Sequence, residues 1–353
     1  MNCSDSWFLK NCIVCSNCFG CVNLRNQKFC IYNEQYSQED YFKKLKELDI
    51  GGFNKFVESK DKFLSESIKY PRKFARMIRS VNSSGDNLEE VKKCKYCFDV
   101  FGGAEDCAYI WLAYSNVKDC HDCDHFGKGS ELSHEVSTIY PGSRVYFSRF
   151  IFDSHDIFYS YNCHSSQNLF GCIGLRNKSY CILNKQYTKE EYESLVPKII
   201  KHMNDMPYID KNGRVYKYGE FFPPELSPFA YNETIAQEYF PLTKEEAIKQ
   251  GYSWKDPETR NYQITLKNKD IPDHIKDVKD SILNDIIACA HDGKCNEQCT
   301  EAYRIIPQEL DFLRKQNLPI PRLCPNCRHY QRIKQRNPLK LWHRKCQCNG
   351  TKS

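Results

Sequence analysis

Residues 11–41 are NCIVCSNCFGCVNLRNQKFCIYNEQYSQEDY, and residues 162–192 are NCHSSQNLFGCIGLRNKSYCILNKQYTKEEY, so one patterned segment occurs twice at a constant offset of 151 positions. Cys12, Cys21 and Cys30 match cysteines of the second copy, whereas Cys15 and Cys18 are matched by serine and leucine. Serine and leucine do not replace thiolate ligands, but they do replace a small buried side chain. The comparison therefore predicts that most cysteines of this half fill space in the core.

The composition indicates a soluble protein whose cysteines stay reduced. A chain of 353 residues is expected to hold two or three domains, and no apolar run approaches the length that spans a bilayer. The start, MNCSDSWFLK, lacks the basic and apolar regions of a secretory signal, which predicts a cytoplasmic location. The 21 cysteines are odd in number, so a disulfide framework is not expected.

Short apolar or aromatic pairs alternate with Gly, Asn, Asp, Ser and Cys over residues 1–36 and 81–188. The pairs that recur every 21 to 25 residues are Phe101-Gly102, Phe126-Gly127, Phe147-Ser148 and Phe170-Gly171. This spacing predicts one coil of a parallel β-solenoid. The polar clusters KDCHDCDH (118–125) and DSHD (153–156) are predicted to form tight corners between its strands.

Helical periodicity interrupts this pattern. Residues 37–80 predict a helical insertion, which includes PRKFARMI with Pro71 in its first turn. Residues 189–288 begin with a helix, KEEYESLVPKIIKHM, that is expected to cap the open end of the solenoid. The same region contains a hairpin signal at Asn212-Gly213 and a helix-capping box formed by Thr243 and Glu246.

The strongest chemical signal lies in residues 289–353. Cys295 and Cys299 form one close pair, and Cys324 and Cys327 form another after a span of 24 residues that can fold as a hairpin and a helix. Two such pairs let four thiolates surround a zinc ion, with Cys289 as the alternative to Cys295. The spacing predicts one structural zinc site in which the second pair begins a helix, as in a treble-clef finger.

Three further residues near this site are less informative. His291 is a potential ligand, but a single histidine in a polar loop is more often solvated. Cys346 and Cys348 form a CxC pair followed by only five residues. If they begin a second zinc site, its remaining ligands are not in this chain.

The formal net charge of +6 is concentrated at the C-terminus, because residues 312–353 hold eleven Lys and Arg and no Asp or Glu. Arg328, Arg332 and Arg336 are spaced to form a stripe on a helix that is expected to end near Pro338. Basic and aromatic residues together suit phosphate contacts and base stacking, so RNA or DNA is a predicted partner. The predicted contact residues are Arg328, Tyr330, Arg332, Lys334, Arg336, Lys340, Trp342, Arg344 and Lys345.

Two other kinds of site were weighed against these assignments. The cysteines at positions 12, 15, 18 and 21 resemble part of an iron–sulfur binding run, but the second copy of the repeat lacks two of them. A catalytic cluster in a solenoid groove would use Asp153, His155, Asp156 and His164, which corner positions explain equally well. We therefore favour a non-enzymatic binding protein, with a protein-interaction scaffold that uses the solenoid face as the first alternative and a groove enzyme as the second.

Three segments resemble an uncharacterised bacterial family of cysteine-rich zinc-finger proteins, whose members are often labelled CaiB/BaiF family proteins. They are GCIGLRNKSYCILNKQYTKEEYE, FFPPELSPFAYNETIAQEYFPLTKEEA and RIIPQELDFLRKQNLPIPRLCPNCRHYQRIKQRNPLKLWHRKC. The resemblance covers almost the whole chain and implies the solenoid architecture and zinc, but no activity. It also implies that the family is longer than this chain at both ends. No residues here support transferase chemistry.

The expected fold is therefore mixed α/β and multidomain: a parallel β-solenoid with a helical insertion and a C-terminal treble-clef-like zinc finger. The predicted segments are solenoid over 1–36, helices over 37–80, solenoid over 81–188, a capping helix with an α+β region over 189–288, and a zinc finger with a basic tail over 289–353.

Overall fold

The computed structural model describes residues 2–256, 258 and 260–343. The chain forms two compact units, of which the first comprises residues 1–72 and 256–336 and the second comprises residues 73–255 and 337–353. The predictions made for Arg344, Lys345, Cys346 and Cys348 lie outside the described residues. No helix within the described ranges is long and apolar enough to cross a membrane.

The fold is mixed α/β, and most of its strands are short. The strands are β1 Ser16–Phe19, β2 Lys28–Ile31, β3 Glu34–Gln35, β4 Met77–Ile78, β5 Gly85–Glu89, β6 Val91–Lys92, β7 Cys97–Phe101, β8 Ala104–Glu105, β9 Ala108–Tyr114, β10 Val117–Gly127, β11 Glu131–Phe158, β12 Tyr161–His164, β13 Gln167–Phe170, β14 Ser179–Ile182, β15 Lys185–Gln186, β16 Tyr208–Ile209, β17 Val215–Tyr216, β18 Ile287–Ala288 and β19 Ala302–Tyr303. The α-helices are α1 Gln38–Leu48, α2 Phe53–Ile68, α3 Lys189–Asp205, α4 Ala236–Tyr239, α5 Lys244–Lys249, α6 Pro307–Lys315 and α7 Pro325–Ile333.

The second unit contains a large, mostly parallel sheet of twelve strands, in which β11 pairs with β10 at one end and with β12 and β13 at the other. Paired residues are 12 or 13 positions apart, as in His121↔His134 and Leu169↔Cys181. The predicted coil length of 21 to 25 residues is therefore wrong. Phe101 pairs with Tyr114, which pairs in turn with Gly127, so the recurring Phe-Gly pairs lie about two rows apart.

A period of three residues underlies these rows. Cys12, Cys15, Cys18 and Cys21 are each at most 4% exposed, and the residue that precedes each of them has a positive φ. Asparagine tolerates this left-handed conformation better than most residues, and it occupies several of the positions, including Asn11. Every third side chain therefore points into the core while the backbone turns between them.

Two expectations about the secondary structure were wrong. Residues 71–78 are not helical; β4 begins at Met77 and pairs in parallel with β5. The polar clusters at 118–125 and 153–156 lie within β10 and β11 rather than between strands. Asp122 and Asp153 have positive φ values there, so the chain turns inside paired segments.

The two copies of the sequence repeat fold alike. Strands β1, β2 and β3 and helix α1 begin 151 positions before β13, β14, β15 and α3. In the first unit, Tyr41 of α1 packs in one cluster with Phe19 and Ile31. In the second unit, Tyr192 of α3 packs with Phe170 and Ile182. Each copy thus ends in a helix that covers its last strands.

The remaining local predictions for residues 189–288 are confirmed. Helix α3 begins at a capping box formed by Thr188 and Glu191. Strands β16 and β17 form the antiparallel hairpin around Gly213, whose φ of +80° fits a tight turn. Thr243 caps α5 as its spacing to Glu246 predicts.

Candidate metal centre

The C-terminal cysteines lie on a framework of short elements in the first unit. Strands β18 and β19 pair antiparallel through Ile287↔Tyr303, and Cys289 follows β18 directly. The amide of Cys289 donates a hydrogen bond of 2.7 Å to the carbonyl of Glu301, which fixes one side of the loop. Ile287 and Leu310 of α6 are at most 1% exposed and belong to the same core cluster as Cys289. Apolar packing therefore holds this cysteine.

The second cysteine pair begins helix α7, as predicted. Cys324 has the extended conformation of an N-cap residue (φ −62°, ψ 161°), and Pro325 occupies the first helical position, where its missing N–H costs no hydrogen bond. Cys327 lies in the first turn. Thiolates at this end of a helix are stabilised by its positive dipole end and its unpaired amide groups.

Four of the sulfur atoms gather at one point. The Sγ atoms of Cys289, Cys299, Cys324 and Cys327 all lie within 4.8 Å of one another. Cys289 Sγ is 3.9 Å from Cys327 Sγ, and Cys324 Sγ is 4.0 Å from Cys299 Sγ. Sulfurs bound tetrahedrally at about 2.3 Å from one zinc ion lie about 3.8 Å apart. These four residues can therefore hold a metal ion.

Backbone groups adjust the charge of this cluster. The amide of Cys324 donates to Cys289 Sγ at 3.2 Å, and the amide of Glu301 donates to Cys299 Sγ at 3.3 Å. Burial opposes ionisation of Cys324, but hydrogen bonds from Thr300 and from the backbone of Cys327 lower its pKa to about 6. Burial raises the pKa of Cys289 to about 11. Donors around the sulfurs thus favour the charged form of Cys324, which a metal requires.

The fourth member of this set is Cys289, the residue that the sequence offered as the alternative to Cys295. Cys295 lies beside the set, with its Sγ 3.7 Å from Cys327 Sγ. It belongs to a second group, in which the ligand atoms of His291, Cys295, Glu297 and Cys327 lie within 4.8 Å of one another. Cys299, Cys324 and Cys327 of the predicted four therefore come together in the first set.

The connection between the two pairs differs from the expected hairpin and helix. Residues 300–323 contain the single strand β19 and helix α6. The antiparallel partner of β19 is β18, which precedes Cys289. The hairpin therefore encloses the loop that carries Cys289, Cys295 and Cys299.

The cysteines of the first copy are buried, as the packing interpretation requires. Cys12, Cys15, Cys18, Cys21 and Cys30 form a cluster of their own in the first unit. Their thiols donate to backbone carbonyls; Cys21, for example, contacts the carbonyls of Phe19 at 3.3 Å and Cys30 at 3.4 Å. Burial raises the pKa of Cys21 to about 12 and that of Cys30 to about 11. These groups are therefore protonated thiols at neutral pH.

The second copy shows that this role does not need sulfur. Cys15 Sγ donates to the carbonyl of Ile13 at 3.4 Å. Its counterpart Ser166, which is 4% exposed, donates through Oγ to the carbonyl of His164 at 2.7 Å. Ile13 and His164 are themselves 151 positions apart. A hydroxyl and a thiol therefore make the same local contact.

The predicted nucleic-acid contacts are partly contradicted. Arg328 donates through Nη1 to Glu309 Oε1 at 2.8 Å, with the two side chains 28% and 24% exposed. Lys334 pairs with the buried Glu297. Tyr330 is only 6% exposed, so its ring is not available for base stacking.

The basic stripe is also shorter than expected. Helix α7 ends at Ile333, so Arg336 is not on the helix, whereas Arg332 is exposed in its last turn. Lys340 and Trp342 belong to the second unit, where the ammonium group of Lys340 lies 5.8 Å from the centre of the Trp342 ring. The side chain of Trp342 is 54% exposed.

The polar residues considered for a groove enzyme divide between separate contacts. His155 Nδ1 lies 2.7 Å from an oxygen of Asp156, which also accepts two hydrogen bonds from Arg144. The Arg144 guanidinium holds the pKa of Asp156 below its usual range. His164 instead contacts Asn162 at 2.9 Å.

Sequence reasoning missed Glu297 and the preference for Cys289. A signal for Cys289 was present, because it follows the apolar run Ile286-Ile287-Ala288 and is therefore placed at a strand end. Glu297 is only 5% exposed although it lies in a polar loop between two cysteines. Its burial depends on the fold of the loop.

The chain was also compared with known proteins. No family model, curated protein or solved structure matches it.

Proposed function

We propose that Cys289, Cys299, Cys324 and Cys327 bind one structural zinc ion in a non-enzymatic binding protein. The observation that carries this proposal is the convergence of the four Sγ atoms at separations of 3.9 and 4.0 Å for the two pairs measured above. Thiolates favour soft or borderline metals, and four of them in a tetrahedral arrangement are typical of zinc. Four protein ligands leave no open position for a substrate, which favours a structural role.

The ion would connect three parts of the first unit that have little regular structure of their own. Cys289 follows β18, Cys299 precedes β19, and the other two ligands begin α7. Cys289, Cys324 and Cys327 are each at most 2% exposed and form part of the apolar core. Metal binding would therefore stabilise the packing of this core, since such sites do not preform in the unfolded chain.

The finer architecture forms part of the same proposal. The parallel rows at offsets of 12 and 13 residues, with an inward side chain at every third position, support a β-solenoid with short coils. The metal ligands at the start of α7 and the adjacent antiparallel pair support a treble-clef-like zinc finger. The solenoid would then provide binding surface, while the finger would stabilise the chain.

The test is the zinc content of the full chain and of two cysteine variants. Cys324→Ser should lose zinc, because loss of a direct ligand costs more than the roughly 10- to 100-fold in affinity caused by loss of an outer contact. Cys163→Ser is the matched control, since Cys163 is also buried and Ser160 and Ser166 occupy the same interior of the second unit. Purified chain without zinc, or equal loss in both variants, would refute the proposal.

A cleft in the second unit favours a second candidate function, the binding of a cationic protein segment. The cleft has a volume of about 510 Å³. Its lining combines carboxylates with aromatic rings: Tyr109, Trp111, Asp122, Asp124, Glu135, Tyr216, Glu220, Phe221 and Phe222. Burial raises the pKa of Glu135, and its Oε2 atom is buried without a hydrogen-bond partner in the described part of the chain. A cationic side chain would satisfy that oxygen and contact the ring faces.

Binding of a synthetic Lys- and Arg-rich peptide to the full chain tests this candidate. Asp122→Asn combined with Glu220→Gln should weaken binding about tenfold or more, since each removes a carboxylate from the cleft. Glu190→Gln, on exposed α3, is the control and should have no effect. Equal affinity of all three proteins would exclude the cleft as the binding site.

Nucleic-acid binding remains a third proposal and now depends on fewer residues. Arg328 and Lys334 make ion pairs within the protein, which leaves Arg332 and Arg336 as the exposed arginines at and beyond the end of α7. Reversal of both to Glu should abolish salt-sensitive binding of a generic oligonucleotide. Reversal of Lys43 and Lys46, exposed on α1, is the matched control. Equal loss in both double variants would indicate only nonspecific charge attraction.

A further inference from the structure

The loop between Cys289 and Cys299 contains a second group of ligand atoms. His291 Nδ1, Cys295 Sγ, a carboxylate oxygen of Glu297 and Cys327 Sγ lie within 4.8 Å of one another. Three of these residues take no part in the four-sulfur set. We propose that they form a second metal site, which rests on the proposed function because it shares the sulfur of Cys327 with the first.

Glu297 provides the first independent argument. Its side chain is only 7% exposed, and a buried carboxylate is costly unless its oxygens are paired. One oxygen, Oε1, contacts the ammonium group of Lys334. The other, Oε2, is buried without a hydrogen-bond partner among the described residues. A metal ion would provide the missing partner.

The geometry of the nitrogen and oxygen atoms provides the second argument. His291 Nδ1 lies 3.2 Å from Glu297 Oε2, yet Nδ1 also has no hydrogen bond within the described ranges. A nitrogen and an oxygen bound to one zinc ion at about 2.0–2.1 Å in a tetrahedral arrangement lie about 3.3 Å apart. The observed separation therefore fits two ligands of a common ion.

The sulfur atoms agree with the same arrangement. Cys295 Sγ lies 3.7 Å from Cys327 Sγ, close to the separation of about 3.8 Å expected for two thiolates on one zinc ion. Burial raises the pKa of Cys295, so this thiol needs a cation to ionise readily at neutral pH. One imidazole, one carboxylate and two thiolates form a ligand set that suits zinc.

The experiment counts bound zinc ions in the full chain by native mass spectrometry. Wild type should carry two ions, and His291→Ala and Glu297→Gln should each carry one. Retention of that one ion also shows that the variants are folded at the first site. Asp292→Asn is the matched control, because Asp292 lies in the same loop but is exposed and pairs only with Lys294 in the contacts described. It should keep both ions.

The alternative is a simple ion pair between a protonated His291 and Glu297. In that case wild type and all three variants would carry one ion, which would overturn the second site and leave the four-sulfur site intact. A wild-type chain without zinc would overturn both proposals. A single ion that is lost from His291→Ala and Glu297→Gln would place the metal in the mixed set and would also overturn both.

Discussion

The backbone amide of Cys324 donates a hydrogen bond of 3.2 Å to the Sγ atom of Cys289. This contact joins the residue that caps α7 to the residue that follows β18. The two are 35 positions apart in the chain, so the contact depends on the fold rather than on local sequence. It identifies Cys289 as an acceptor that is already oriented toward the second cysteine pair.

The first prediction separates Cys289 from Cys295. Cys289→Ser should weaken the tightest-bound zinc by more than about 100-fold, because Cys289 belongs to the four-sulfur set. Cys295→Ser should change that affinity less than about tenfold, although it removes a ligand of the second site. Competition with a chromophoric chelator measures both values. The opposite order would identify Cys295 as the fourth ligand.

The second prediction concerns metal removal. A chelator should increase backbone hydrogen exchange over residues 287–333, because structural zinc supplies about 10–16 kcal/mol of apparent binding energy in small finger peptides. Residues 85–182 of the second unit should keep their protection. Hydrogen exchange followed by mass spectrometry reports both regions in one sample. Equal loss of protection in the two regions would contradict a local structural role.

The third prediction concerns the buried cysteines of the first copy. Cys15→Ser should cost only about 1 kcal/mol of unfolding free energy, because Ser166 makes the equivalent contact in the second copy. Cys15→Asp should cost more than about 3 kcal/mol, since it places a carboxylate where the native residue is 1% exposed. Urea denaturation measures both values. Loss of zinc from Cys15→Ser would show that this thiol is a ligand.

The fourth prediction concerns the pair formed by Arg328 and Glu309. Their contact is partly buried, so a double-mutant cycle with alanine at both positions should give a coupling energy of about 1 kcal/mol. Zinc content should not change, because neither residue belongs to a ligand set. A coupling energy near zero would return Arg328 to the residues that are available for phosphate contacts.

Local signals in the sequence predicted local structure well. Cys324 followed by Pro325 marked the start of α7, and Thr188 with Glu191 marks the start of α3. These features depend on residues within one turn of each other, where capping and backbone restriction dominate. The offset of 151 positions also corresponds to matching strands, matching helices and matching apolar clusters.

Contacts between distant residues were the part that the sequence did not reveal. Arg328 looked available because Glu309 is 19 positions away, beyond the reach of helix periodicity. The coil length was misjudged because the conspicuous Phe-Gly pairs lie about two rows apart. The true period was visible in the spacing of three between Cys12, Cys15 and Cys18, which resembled a cluster-binding run instead.

The central claim is that a metal is bound by sulfur at the C-terminal cysteines, whereas the cysteines near the N-terminus only pack. X-ray absorption at the zinc edge of the full chain, compared with Cys12→Ser, tests it most directly. The account predicts a zinc shell dominated by sulfur at about 2.3 Å, unchanged in the variant. A shell of nitrogen and oxygen alone at about 2.0–2.1 Å, or loss of zinc from Cys12→Ser, would contradict it.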